Sequence, residues 1–178
     1  MEKEESGAKA QICVCFSHGQ ESGPWGTKIR QMAAVAERQG FSVVSLDYRG
    51  VSDPDARVEK LVKWRAGFSG RVVLVGSSMG AYVAVVAAEK IEVDGLFLLA
   101  PALSIPGFGK VPNPRIRTSS AVIVHGWQDE VIPVSLIINY ARQQNIPLHL
   151  LPGEHRLIEV LPAVLKIFTD FLIEAKKA

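Results

Sequence analysis

Residues 71–88 constrain what this chain can fold into more than any other stretch. Arg71-Val72-Val73-Leu74-Val75 is a short β-branched run of the kind that forms a buried strand, and Ala81-Tyr82-Val83-Ala84-Val85-Val86-Ala87-Ala88 is apolar on every side, as in a fully buried helix. Between them stands Gly76-Ser77-Ser78-Met79-Gly80, which fits G-x-S-x-G. A strand that turns into a buried helix within so few residues crowds the positions two before and two after the turn. Gly76 and Gly80 supply the room. Ser78 then carries its hydroxyl clear of the sheet, with the Met79 amide and the helix N-terminus facing the same space. With 15 glycines in 178 residues the pattern arises by chance in about one such chain in ten, so the flanking strand and helix give it its weight.

Strand and helix patterns alternate throughout. Strands are expected near 11–17, 42–47, 71–76, 94–100, 120–125 and 147–151, with helices between them, which predicts an α/β fold with a parallel sheet covered on both faces. Near 26–39, Ile29, Met32, Ala33 and Ala36 recur at helical spacing, and Gly40 stops the helix. A chain of 178 residues that is 48% hydrophobic can bury one sizeable core, so residues 11–178 are expected to form a single domain. Residues 1–10 are polar and charged and are expected to be a flexible N-terminus without an apolar signal region. No window approaches the apolar run of about 20 residues that a membrane span needs, and a cytoplasmic location is the expectation. A net charge of +2, with its basic residues scattered, gives no footprint for nucleic acid. Cys13 and Cys15 alternate on one buried strand and read as structural thiols. No Cys/His cluster has metal-ligand spacing, and no cofactor is expected.

Three further segments carry chemistry-bearing residues. The apolar run Ala121–Val124 leads into His125-Gly126-Trp127-Gln128-Asp129-Glu130-Val131-Ile132-Pro133. The last strand, Leu148–Leu151, ends at Pro152-Gly153-Glu154-His155-Arg156. The first, Ile12–Phe16, ends at Ser17-His18-Gly19-Gln20, with Gly23-Pro24-Trp25 close behind. Asp129 falls just past the carboxyl end of a strand, the edge where open parallel sheets gather their sites. Asp94 precedes its strand and falls at the opposite edge.

A serine elbow, then an acid 51 residues on, then a histidine 26 further, each after a strand, resembles the α/β-hydrolase superfamily. The likeness runs from Ile12 through the last helix. It implies the α/β-hydrolase fold in a small form: six strands rather than eight, and no sizeable cap, since Pro101–Ser119 spans only 19 residues where larger members insert one. It further implies Ser78 as nucleophile, Asp129 as acid, His155 as base, and the Gln20 and Met79 amides as oxyanion donors. Asp129 has a competing reading as a turn-forming residue, with Asp47 of Asp47-Tyr48-Arg49-Gly50 as the fallback acid. The loop after His18 has one as a plain Gly-Pro connection. His18, His125 and His149 read as structural. Serine, where aspartate would mark a dehalogenase and cysteine a dienelactone hydrolase, directs the expectation to a small-molecule carboxylic ester or thioester hydrolase that loses activity in acid. A non-catalytic binding protein and a peptidase are the alternatives. Lys110, Arg115 and Arg117, in a stretch free of Asp and Glu, raise the further idea of an acidic substrate. Substrate identity and oligomeric state stay open.

Overall fold

The computed structural model describes residues 12–177; the polar segment 1–10 lies outside them. In chain order the elements are β1 (Ile12–Ser17), α1 (Thr27–Arg38), β2 (Ser42–Leu46), α2 (Pro54–Ala66), β3 (Arg71–Ser77), α3 (Met79–Ala88), β4 (Gly95–Leu99), β5 (Ala121–Gly126), α4 (Val134–Gln144), β6 (Leu148–Leu151) and α5 (Leu161–Ala175). The six strands form one sheet in the order β2-β1-β3-β4-β5-β6, every neighbouring pair parallel.

Alternation of side chains along the strands divides the core in two. Cys15, Leu74, Leu96, Leu98 and Ile123 face a layer made by α2, α3 and α4. Val14, Phe16, Val73, Val75, Phe97 and Val124 face α1 and α5. The central strands are buried on both faces, which is why they read as continuous apolar runs rather than alternating ones. α1 lays Ile29, Met32, Ala33, Val35 and Ala36 on the sheet and ends at Gly40, whose φ of +82° takes the left-handed turn. α3 is buried along its whole length. α2 is capped by the Asp53 carboxylate, which accepts from the Asp55 amide at 3.1 Å, with Pro54 in its first turn.

The chain leaves β1 in one direction to form β2 and crosses to the other side to form β3. That reversal falls between β1 and β3, whose carboxyl ends are the place where open parallel sheets hold their ligands. Pro101–Ser119 joins β4 to β5 without a helix and is tied down on the α2–α3 layer: the Lys110 amide donates to Asp55, and the Val111 amide to the Tyr82 hydroxyl. Among the described residues no helix is long and apolar enough to cross a membrane.

Candidate active site

Ser78 sits between β3 and α3 with φ 54° and ψ −120°. This is a strained conformation for a residue with a side chain, and such strain costs about 1–3 kcal/mol. The fold holds it from both sides: the Ser78 amide donates to the Leu99 carbonyl at 2.9 Å, and its carbonyl accepts from the Ala102 amide at 3.1 Å. The flanking glycines are required by contact as well as by the turn. A Cβ on Gly76 would lie 2.6 Å from the Ala81 nitrogen, and one on Gly80 would lie 2.8 Å from the His18 carbonyl oxygen and strike the Ser17 backbone.

Asp129 follows β5. Its Oδ1 accepts from the amides of Val131 and Ile132 at 2.9 and 2.8 Å, which closes the turn and fixes the carboxylate plane. Its Oδ2 is left for His155, whose Nδ1 lies 2.8 Å away. The turn-forming role and the pairing role thus belong to the same side chain. His155 stands in the loop after β6. The β5 and β6 loops interlock through Trp127 N to Leu151 O at 2.8 Å and Gln128 N to Gly153 O at 3.0 Å. A carboxylate only accepts, so His155 carries its proton on Nδ1 and leaves Nε2 as an acceptor, 3.0 Å from the Ser78 hydroxyl. Three residues from three loops therefore form one hydrogen-bonded chain, Ser78–His155–Asp129. The carboxylate end is buried and the imidazole is 20% exposed.

The other expected residues fall around this chain. Met79 is the first residue of α3, so its amide has no acceptor within the helix. Gln20 is in the turn after β1, next to Gly19, where a Cβ would lie 3.5 Å from that of Ser78. Asp47 is held by its exposed ion pair with Arg49, away from His155. Asp94 is at the opposite edge and pairs with Arg71 at 2.7 Å.

His18 is buried and receives the Tyr48 amide on Nε2 at 2.9 Å, so Nδ1 bears the proton and donates to the Gly19 carbonyl at 2.7 Å. His125 donates from Nε2 to the Ile132 carbonyl at 3.1 Å and lies 3.6 Å from Asp129 Oδ2. Burial pushes the pKa of both below the ordinary histidine value. A neutral His125 places no second charge beside Asp129. His149 is exposed on β6.

The basic residues of the β4–β5 connection are anchored against different elements. Lys110 is bound near the start of α2. The Arg115 amide is bound to Glu89 just past α3. Arg117 lines an open groove of about 710 Å³ with Arg71 and Asp94 at the far edge of the sheet. Two cations that the sequence did not single out stand close to the site. Lys28, in the first turn of α1, donates to the carbonyl of Arg156 at 3.0 Å and so ties α1 to the loop of His155; burial brings its pKa down to about 8. Arg57, on α2, is buried behind the β1 loop. Among the described residues no group of three His, Cys, Asp or Glu is arranged to hold a metal ion.

The chain matches the sequence pattern of the Alpha/beta hydrolase family over residues 14–151. Its fold superposes on a protein from Xanthomonas campestris pv. campestris assigned to the alpha/beta superfamily of hydrolases, with a TM-score of 0.81 at 30% identity, covering 92% of this chain and 99% of that one. Est1E from Butyrivibrio proteoclasticus superposes with a TM-score of 0.80 at 19% identity, over 96% of this chain and 90% of its own. An α/β serine hydrolase without lid from Xanthomonas campestris gives 0.70 at 17% identity, over 96% and 85%. At these lower identities the last two speak for the fold alone. No curated protein sequence matches the chain. Strand order, elbow and sequence pattern agree: the chain belongs to the alpha/beta hydrolase family.

Proposed function

We propose that the protein is a serine hydrolase that cleaves a carboxylic ester or thioester of a small molecule through an acyl-enzyme on Ser78. The observation that carries this reading is the chain from Ser78 Oγ to His155 Nε2 at 3.0 Å and from His155 Nδ1 to Asp129 Oδ2 at 2.8 Å. A serine hydroxyl is neutral at pH 7 and a poor nucleophile. His155 takes its proton as Oγ attacks the carbonyl carbon and returns it to the departing alcohol or thiol. Asp129 fixes the tautomer and stabilises the imidazolium. Negative charge on the tetrahedral oxygen is met by the Gln20 and Met79 amides, each of which contributes about 3 kcal/mol to the transition state. Water, deprotonated by His155, then attacks the acyl-enzyme, and Ser78 leaves with a proton. A site without a helical cap over it suits small or extended substrates better than long acyl chains that need an apolar cover.

A fluorophosphonate probe tests the proposal. Labelling is expected at Ser78, identified by mass spectrometry, and is lost in Ser78→Ala and His155→Ala. An ester and thioester panel should show turnover lost in the same variants. A folded wild type that neither labels nor turns over any of them would overturn the reading.

A further inference from the structure

Behind the loop that follows β1 lies a cation with no carboxylate beside it. Arg57 is 2% exposed, and none of the ion pairs among the described residues includes it. Its Nε donates to the Val51 carbonyl at 2.6 Å. Its Nη1 is shared between two successive carbonyls, those of His18 at 3.1 Å and Gly19 at 3.3 Å. The Tyr48 ring lies 5.2 Å from the guanidinium centre. Burial lowers its pKa from the ordinary arginine value. A buried charge left without a counter-ion is costly, and this one is spent on backbone oxygens. The Gly19 carbonyl has a second donor, His18 Nδ1 at 2.7 Å.

A planar trans peptide points its C=O and its N–H in opposite directions. With the carbonyls of residues 18 and 19 both drawn to one guanidinium, the amides that follow them, on Gly19 and Gln20, face the other way. Successive amides that face one way form a nest for an anion. This turn packs against the nucleophile, with the Gly19 Cβ direction 3.5 Å from Ser78 Cβ. We infer that Arg57 and His18 are positioning residues: they grip the Gly19 carbonyl from behind, so that the Gln20 N–H is aimed at the substrate oxygen as it gains charge. The cation also polarises the Gly19–Gln20 peptide, which strengthens its N–H as a donor. This inference rests on the serine hydrolase reading and adds the groups that hold one of its two oxyanion donors.

The test is Arg57→Met, which keeps volume and removes every donor, assayed with p-nitrophenyl acetate. The expected result is a kcat lower by about 10- to 100-fold, somewhat less than outright loss of an oxyanion donor, with KM within about threefold of wild type. Affinity for a trifluoromethyl ketone, which adds to Ser78 and forms a tetrahedral oxyanion, falls in parallel with kcat. Arg57→Lys, which restores a cation and one donor, recovers at least part of both. Should Arg57→Met show no cooperative unfolding transition, His18→Leu carries the same measurements. There His18→Asn, whose amide can still donate to the Gly19 carbonyl, is the rescuing variant. A folded Arg57→Met, or in its place a folded His18→Leu, with kcat and ketone affinity within about twofold of wild type overturns the inference. So does a loss confined to KM. Absence of turnover and of Ser78 labelling in the wild type would instead sink the hydrolase reading itself.

Discussion

Asp129→Asn is the most discriminating single change in this molecule, because the structure decides which way the new amide must face. Oδ1 receives two backbone N–H groups, from Val131 and Ile132, at 2.9 and 2.8 Å. An NH2 turned toward them would set donor against donor twice and forfeit two hydrogen bonds, about 2–3 kcal/mol in all. The amide oxygen therefore stays at Oδ1 and the NH2 occupies the Oδ2 place, 2.8 Å from His155 Nδ1. Nδ1 must then accept, the imidazole proton moves to Nε2, and Nε2 presents N–H to the Ser78 hydroxyl 3.0 Å away. The base is held in the tautomer that cannot take the serine proton. In serine proteases the same exchange lowers kcat by about 10⁴, or about 5.5 kcal/mol, and a loss of that order is expected here. The turn keeps both amide contacts, so unfolding free energy should move by less than about 2 kcal/mol. The assay pairs kcat for p-nitrophenyl acetate with a urea melt. A folded Asn variant that retains more than a tenth of wild-type kcat would refute the argument.

Gly80→Ala, which in an ordinary helix would stabilise by up to about 1 kcal/mol, should here destabilise by about 1–3 kcal/mol and weaken turnover, since its Cβ meets the backbone of Ser17 and His18; an unchanged urea midpoint would count against that packing. At the elbow, Ser78→Gly and Ser78→Ala should both be inactive, but the glycine variant should be the more stable by about 1 kcal/mol because it relieves the φ of 54°; equal melting temperatures would contradict the strain. Burial holds His18 and His125 below the ordinary histidine pKa. The unfolded chain therefore takes up protons first as pH falls through about 6.5, and stability should drop from there toward the folded-state values, by at most about 1.4 kcal/mol per pH unit per residue. The slope of unfolding free energy between pH 7.5 and 5.5 should shrink in His125→Leu, and an identical slope would remove His125 from the account.

Much of the site was legible because sterics and chain order left few choices. Gly76 and Gly80 announce a sharp strand-to-helix turn, and runs such as Val72–Val75 announce a strand covered on both faces. Asp94 precedes its strand in a parallel sheet, which puts it at the far edge, and it stands there on Arg71. Arg57 was not legible. It sits on α2, where only Val58 and Leu61 are also buried, and its partners are carbonyls that any residue type supplies, 39 and 38 positions away. Lys28 escaped for the same reason, since its acceptor is the carbonyl of Arg156.

The hydrogen-bonded chain closes on the thinnest part of the sheet. β6 has four residues, a single neighbouring strand, and the histidine four positions past its end. Its contacts to Ser78 span 77 positions and those to Asp129 span 26, so no fragment of the chain can assemble them. Edge elements open locally at a lower free energy than the whole. Regain of turnover during refolding should therefore come last, after the central strands have docked. In rising urea it should vanish first, ahead of the far-ultraviolet signal, which makes activity a reporter of the outermost strand rather than of the core.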